Sequence, residues 1–290
     1  MILVTGATGN IGPGVVRALK GAGPPIRAAI HKTPLRIDGV ETCPLDFDDP
    51  GTFAPALKGV DALFLLSGDV AHEAGLVDTA AAAGVRRIVY VSSYGADTDD
   101  FLVGRMHREI EQRIEASGMA WTVLRPNFLM QNFICVMGAD IRREDAFYDS
   151  IGDARVSMID ARDLGPVAAR VLTEPGHEGC AYELSGPEAL SYHDAAQTLS
   201  ETLGRKIRYV PIGDADFRQR LEAAGLADEF VDALVDANRE AREGRSNDHV
   251  VTDTVRALTG RAPTPFTDFC HDHAAAFAPA RAEAADAGHR

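Results

Sequence analysis

Met1-Ile-Leu-Val-Thr-Gly-Ala-Thr-Gly-Asn-Ile-Gly12 opens the chain: an apolar run, then glycines at 6, 9 and 12. The run Ile2–Thr5 reads as a strand. Ile11, Val15 and Leu19 recur at helical spacing, so a helix opens near Asn10, with Pro13 tolerated in its first turn. A glycine turn between a strand and a helix is the setting of a dinucleotide loop. The turn must be tight, the backbone must approach the pyrophosphate, and the helix must pack close to the strand. Free N–H groups and the helix dipole then hold the phosphates. The expected cofactor contacts here are Gly6, Thr8, Gly9, Asn10, Ile11 and Gly12.

Outward from this loop, β-branched runs alternate with helical patterns. Strands are expected at Ile26–Ile30, Glu41–Leu45, Ala62–Leu66, Arg87–Val91 and Trp121–Leu124. Helices are expected near Pro50–Leu57, Ala71–Ala83 and Gly104–Ser117. Such alternation predicts an α/β fold, a Rossmann-type doubly wound parallel sheet covered on both faces. Further on, Val156–Ile159 and Ala181–Leu184 read as strands around a helix at Arg162–Leu172, and Tyr192–Leu203 reads as a helix ended by Gly204. Residues 1–125 plus 156–185 form the expected dinucleotide-binding domain, and 126–155 plus 186–273 a smaller C-terminal lobe. Within the lobe, residues 214–244 carry Phe217, Leu221, Leu226, Phe230, Leu234 and Val235 around Gly225. This pattern reads as a helical hairpin, either a lid or two surface helices packed on the core. The Ala-rich tail 274–290 reads as disordered.

Ligands of open α/β sheets sit beyond the carboxyl ends of the strands. An acid about 20 residues past the loop would bind the ribose 2′-hydroxyl of NAD. Here the second strand ends in Ile30-His31-Lys32, with Arg36 nearby and no carboxylate. Cations suit a 2′-phosphate, so NADPH is expected over NADH. Asp46 and Phe47 are placed beside the adenine, and Leu66, Ser67 and Gly68 under the nicotinamide ribose.

The 290 residues include 43 acidic and 29 basic side chains, a formal net charge of −14. Residues 1–150 hold 14 basic and 19 acidic groups, so no basic half is concealed in the average. Such a polyanion is a poor partner for nucleic acid. Four dispersed cysteines without a CxxC pair point away from disulfides and structural zinc and towards a reducing cytoplasm. No basic, then apolar leader opens the chain, and no run approaches the ~18 apolar residues of a membrane helix. No metal site is expected, His271-x-His273 included. Asp160-x-x-Asp163 reads as a helix cap with first-turn charge.

Several further stretches join Thr5–Gly12 in order along the chain: Leu45-Asp-Phe47, Val89-Tyr-Val-Ser-Ser93, Glu115-Ala-Ser-Gly118, Trp121-Thr-Val-Leu-Arg-Pro-Asn-Phe128 with Asn132, Ile159-Asp-Ala-Arg-Asp163, Tyr182-Glu-Leu-Ser-Gly-Pro187 and Thr252-Asp253. Over about residues 1–270 the chain resembles the NmrA-like group of atypical short-chain dehydrogenase/reductases. That resemblance implies reductases of quinones, azo compounds or polyketide ketones, or redox sensors that bind cofactor without turnover. It also implies that the loop Pro126, Asn127 and Phe128 passes the nicotinamide.

Short-chain reductases carry a serine near the fifth strand and a Tyr-x-x-x-Lys on the next helix; no Tyr-x-x-x-Lys occurs here. Counting back from Ser117-Gly118, Val103 falls in the tyrosine slot and His107 in the lysine slot. Ser92 or Ser93 suits the serine slot, with Tyr94 beside them. Ser93, Tyr94 and His107 are therefore the catalytic candidates and Ser92 a cofactor contact. A missing general acid costs about 10²–10⁴-fold in rate, so acceptors that need little help still react, with the proton drawn from substrate, water or Tyr94. Phe101, Leu102, Met130 and Phe133 are the expected wall of a pocket for a flat aromatic molecule. The nearest resemblance within the family is to angucyclinone-type polyketide ketoreductases lacking the Tyr/Lys pair. It implies an NADPH-dependent ketoreductase of antibiotic biosynthesis, monomeric or homodimeric. A quinone or azo reductase is the alternative, and an NADP-sensing regulator without turnover the second.

Overall fold

The computed structural model describes residues 1–20, 23–67, 70–98 and 102–279. The chain begins β1 (Ile2–Val4), α1 (Gly12–Leu19), β2 (Ile26–Ile30), β3 (Glu41–Pro44), α2 (Phe53–Leu57), β4 (Ala62–Leu65), α3 (Glu73–Ala82), β5 (Arg87–Val91), α4 (Leu102–Ala116) and β6 (Ala120–Pro126). Then come α5 (Asn132–Cys135), α6 (Gly138–Glu144), β7 (Ala146–Asp149), β8 (Arg155–Val156), α7 (Ala161–Thr173), β9 (Cys180–Leu184), β10 (Leu190–Ser191) and α8 (Tyr192–Leu203). The last elements are β11 (Arg208–Pro211), α9 (Asp214–Ala223), α10 (Asp228–Arg242), α11 (Thr254–Thr259) and α12 (Phe266–Asp272).

Seven strands pair in the order β3-β2-β1-β4-β5-β6-β9, all parallel. Along each strand the side chains alternate between the faces. Ile2 and Val4 join the layer of α1 and α7, while Leu3 joins that of α2, α3 and α4. Strand order reverses between β1 and β4, and the crevice at their carboxyl ends is where such sheets take ligands. Helices α1 and α7 cross at Gly14 and Gly165, where a Cβ on Gly165 would lie 2.7 Å from the Gly14 carbonyl group.

The smaller lobe packs around aromatic rings. Phe133 lies 5.0 Å from Phe266 and 5.4 Å from Phe147, and Phe147 stacks on Tyr209 at 5.4 Å between centroids. Each buried ring contributes about 1.5–3 kcal/mol over exposure. Two small sheets tie the lobe together: β7 with β11 in parallel, and β8 with β10 antiparallel.

Two expectations change. Val156–Ile159 is not a full strand; only β8 forms, outside the main sheet, and Ile159 makes a lone bridge to Leu129. The expected disordered tail starts too early, because Phe277 is fully buried in the lobe core and its carbonyl accepts from Arg205 Nη2 at 2.5 Å. Alanine-rich composition concealed that single aromatic anchor. Residues 280–290 lie outside the described residues.

The 214–244 hairpin is present as α9 and α10, closed by Phe217, Leu221, Val231 and Val235. Phe230 is instead 40% exposed. The Arg220 guanidinium of α9 pairs with Asp140 and lies 4.3 Å over the Tyr148 ring. From α10, Asn238 Nδ2 donates to Asp149 Oδ1 at 2.7 Å, and Arg242 donates to the Ser150 carbonyl. No helix among the described residues is long and apolar enough to cross a membrane.

Candidate active site

The glycine loop follows β1 at the reversal of strand order. Gly6 has φ +61°, a conformation open to glycine at little cost. Its carbonyl accepts from the Gly9 amide at 3.0 Å. A Cβ on Gly12 would stand 2.1 Å from the Gly6 carbonyl oxygen, so the close turn tolerates no side chain there. Thr5 ties the loop to β4: its hydroxyl donates to the Leu66 carbonyl at 2.8 Å and accepts from the Leu66 amide at 2.8 Å. No side chain caps the N-terminus of α1, which leaves helix amides for an anion. Thr8, Gly9 and Asn10 are exposed, while the Ile11 side chain is buried in the core. This bare backbone cradle at a helix N-terminus fits a dinucleotide pyrophosphate.

At the ends of β2 and β3, His31 Nε2 lies 3.1 Å from Asp46 Oδ2. Lys32 and Arg36 are exposed and form no ion pair among the described residues. Phe47 packs edge-on against Phe53 at 6.1 Å. Beyond β4 the Ser67 amide donates to Glu73 Oε1 at 2.9 Å. Gly68 lies outside the described residues.

At the ends of β5, β6 and β9 the chemistry is ionic. Arg125 grips the fully buried Glu111 of α4 with two bonds, Nε to Oε1 at 2.9 Å and Nη2 to Oε2 at 2.7 Å. Arg108 adds a bond to Glu111 at 2.9 Å, and the Ser92 hydroxyl another at 2.6 Å. Burial alone would raise the Glu111 carboxyl, but the bonds from Arg125 and Ser92 outweigh it and hold the group below its ordinary value. Arg125 Nη1 also reaches Asp97 at 2.7 Å and Glu183 at 3.2 Å. Burial pushes the Glu183 carboxyl up to about 7 against the pull of Arg125.

Ser92 is thus committed to Glu111, while the hydroxyls of Ser93 and Tyr94 have no hydrogen-bond partner among the described residues. Tyr94 is 8% exposed. Burial, then the charges of Glu183 and Asp248, lift its hydroxyl to about 12. The Pro126 carbonyl accepts from the Tyr94 amide at 3.1 Å. Asn127 turns its amide to Ser157 Oγ and the Asp248 carbonyl, and so braces the loop after α10.

His107 bonds the Tyr90 hydroxyl through Nδ1 at 2.7 Å. Desolvation lowers its pKa to about 4, so it is a neutral imidazole near pH 7. Tyr90 is itself fully buried, with Glu73 against its hydroxyl. A buried chain therefore runs from Ser67 through Glu73 and Tyr90 to His107. Met130 (1% exposed) and Phe133 (0%) belong to the aromatic lobe core, Leu102 is half-buried at the start of α4, and Phe101 lies outside the described residues. Phe128 is half-buried, 6.1 Å from the Tyr192 ring. Two clefts elsewhere hold none of the glycine-loop residues: one of about 370 Å³ between α7, α11 and α12, and one of about 420 Å³ at the amino ends of the strands.

The sequence reading missed Thr5, Glu73, Glu111 and Glu183. Arg125 in the apolar strand Trp121-Thr-Val-Leu-Arg125 was the available signal, since a buried guanidinium requires a counter-charge.

Fold and loop together define a Rossmann-type protein with the backbone geometry of a dinucleotide site. The model of the NmrA-like family matches residues 1–264, and the chain belongs to that family. It is 40% identical over 288 residues to an NAD(P)H azoreductase of Xenophilus azovorans, covering 96% of this chain and 99% of the relative. A (4-alkanoyl-5-oxo-2,5-dihydrofuran-3-yl)methyl phosphate reductase of Streptomyces griseus is 37% identical, covering 96% and 100%. Among solved structures, the NADPH-dependent quinone oxidoreductase of Escherichia coli complexed with NADPH matches with a TM-score of 0.80 and 30% identity, covering 94% of this chain and 99% of that one.

Proposed function

We propose that this chain is an NADPH-dependent reductase that transfers a hydride to a small conjugated organic acceptor. The single observation that carries the reading is the bare cradle formed by Gly6, Gly9 and Gly12 at the head of α1, at the reversal of strand order. The resemblance to polyketide enzymes points to a ketone carbonyl of an aromatic molecule. The relatives named for azo compounds and quinones favour those acceptors instead. Either acceptor takes one hydride and one proton.

NADPH, when bound, supplies the hydride. The chain's own residues do the rest. The glycine loop and the α1 amides hold the pyrophosphate, and Lys32 with Arg36 meet the 2′-phosphate. Thr5 fixes the loop against β4, and Glu73 fixes Ser67 beneath the ribose. Proton delivery falls to Tyr94, to water or to the acceptor itself. A quinone accepts hydride to give a stabilised phenolate and tolerates the missing Tyr/Lys pair. The free thiols suit a reducing, cytoplasmic setting.

The test is NADPH consumption with a simple quinone, an azo dye and an aromatic ketone. Turnover of quinone or dye selects the conjugated-acceptor reading; turnover of the ketone alone selects the ketoreductase. NADPH binding without consumption across the panel would make the protein a sensor.

A further inference from the structure

We infer that Glu183 is the proton reservoir of the reductase site, acting through the Tyr94 hydroxyl; this rests on the reductase reading. Four carboxylates share two guanidiniums at this corner: Glu111, Glu115, Asp97 and Glu183 against Arg108 and Arg125. Within this group of six described side chains two negative charges are therefore unmatched, and the surroundings decide where a proton settles. Glu111 has no side-chain exposure but receives four donor contacts, from Arg125 twice, Arg108 and Ser92, which satisfy it as an anion. Glu115 has Arg108 at 2.5 Å, and the 55% exposed Asp97 has Arg125 at 2.7 Å and water. Glu183 is left with one bond from Arg125 at 3.2 Å and the Gly95 amide at 3.4 Å. It is the least compensated member: the bonds that outweigh burial at Glu111 are too few here, and its carboxyl is pushed up to about 7.

Its position gives that proton a use. Glu183 Oε2 faces the amide of Gly95, the residue after Tyr94. Glu183 and Asp248 both weaken Tyr94 as an acid. Burial is the main reason that Tyr94 is a weak acid, so a phenolate there is costly and its proton must be replaced at once. Four carboxyl-bearing segments face this corner: α4 with Glu111 and Glu115, β9 with Glu183, the turn after β5 with Asp97, and the loop after α10 with Asp248. Arg125 of β6 and Arg108 of α4 supply the positive charge.

The step balances. The acceptor gains the hydride supplied by NADPH, and the Tyr94 O–H bond breaks to protonate the acceptor heteroatom. Among the described residues no hydrogen bond joins the Tyr94 hydroxyl to Glu183, so the phenolate takes the Glu183 proton across a water, and the Glu183 carboxylate, 30% exposed, recovers one from solvent. In sum, acceptor, NADPH and one proton give reduced acceptor and NADP⁺. Glu183 is a positioning residue for protons, because it acts through Tyr94.

The experiment measures kcat against pH with NADPH and a quinone for the unsubstituted protein, Glu183→Gln, Tyr94→Phe and the double variant. The unsubstituted kcat should fall as pH rises through about 7, because the acid form is required. Glu183→Gln should abolish that limb and lower the acid-side kcat by about 10²-fold, with KM for NADPH little changed. Adding Glu183→Gln to Tyr94→Phe should cost nothing more. A limb that persists in Glu183→Gln, or additive losses in the double variant, overturns the proposal. The second measurement needs no variant and no cofactor: an NMR titration of protein labelled in its glutamate carboxyl carbons. One glutamate titrating near pH 7 is expected; all of them titrating near about 4 overturns it. An unsubstituted protein that consumes no NADPH sinks the reductase reading, while the titration still decides where the proton resides.

Discussion

One methyl group at Gly12 is enough to obstruct the cofactor loop. The added carbon would sit 2.1 Å from the Gly6 carbonyl oxygen, and neither backbone segment can retreat without moving α1 off β1. Gly12→Ala should weaken NADPH binding at least about tenfold in a fluorescence titration and destabilise the fold by about 1–3 kcal/mol. His107 makes a contrasting case. Its neutral ring serves the buried Tyr90 hydroxyl, and losing it removes one of that group's two partners, Glu73 being the other, at a cost of about 0.5–1.5 kcal/mol. His107→Ala should therefore lower Tm and leave any pH-dependent limb of kcat in place. A large loss of NADPH affinity at unchanged Tm would instead place the ring on the cofactor. Counting along the helix located His107 correctly on α4, but spacing carries no information about which partner a ring nitrogen meets. Ser92 and Ser93 show the same limit: adjacent residues of one type, one turned into a salt-bridge network and one without a hydrogen-bond partner among the described residues.

Between elements, the Arg125–Glu111 pair clamps α4 onto β6. Removing one member of a buried pair leaves the other uncompensated, at about 3–5 kcal/mol. Glu111→Leu should show that loss in urea unfolding, and Glu111→Leu with Arg125→Met should recover much of it. The strand pattern made Arg125 conspicuous, yet nothing local indicates which of 43 acidic residues answers it.

Asp149 raises a matching question for α10. Burial lifts its carboxyl from 3.8 to about 6 against the hydrogen bonds from Ile151 and Asn238. The native state therefore binds that proton more tightly than the unfolded chain does. The stability it contributes is full below the unfolded value of about 3.9, and is lost as pH rises through about 6. The whole effect is on the order of 3 kcal/mol. Asp149→Asn should raise Tm at about pH 8 and flatten its dependence between about pH 4 and pH 7; an unchanged slope counts against this assignment.

For the molecule as a whole, the alternation of strands and helices up to β6 was legible because apolar, β-branched runs such as Ile2–Val4 and Arg87–Val91 are set apart by longer amphipathic stretches such as α1 and α4. Strand order and the small sheets of the expected lobe were not. Elements such as α5, α6, β7 and β11 span four to seven residues, about one or two helical turns or a single short strand, where period 2 and period 3.6 are hard to separate. Their pairing joins residues far apart in the chain, as in β7 with β11. The overall acidity was plain, and the exception to it was anticipated at Lys32 and Arg36, which are exposed and free of ion pairs among the described residues. Lys32→Ala with Arg36→Ala should raise KM for NADPH several-fold and leave KM for NADH nearly unchanged.

The two arms of the helical hairpin are fastened to the lobe independently. Arg220 holds α9 to Asp140, while Asn238 and Arg242 hold α10 to Asp149 and Ser150. The exposed turn at Gly225 carries none of these attachments. A protease cut there should yield two polypeptides that separate on a denaturing gel yet elute together as one particle. Cut at that turn, the protein should behave as a split enzyme, its two fragments held together through the lobe they share.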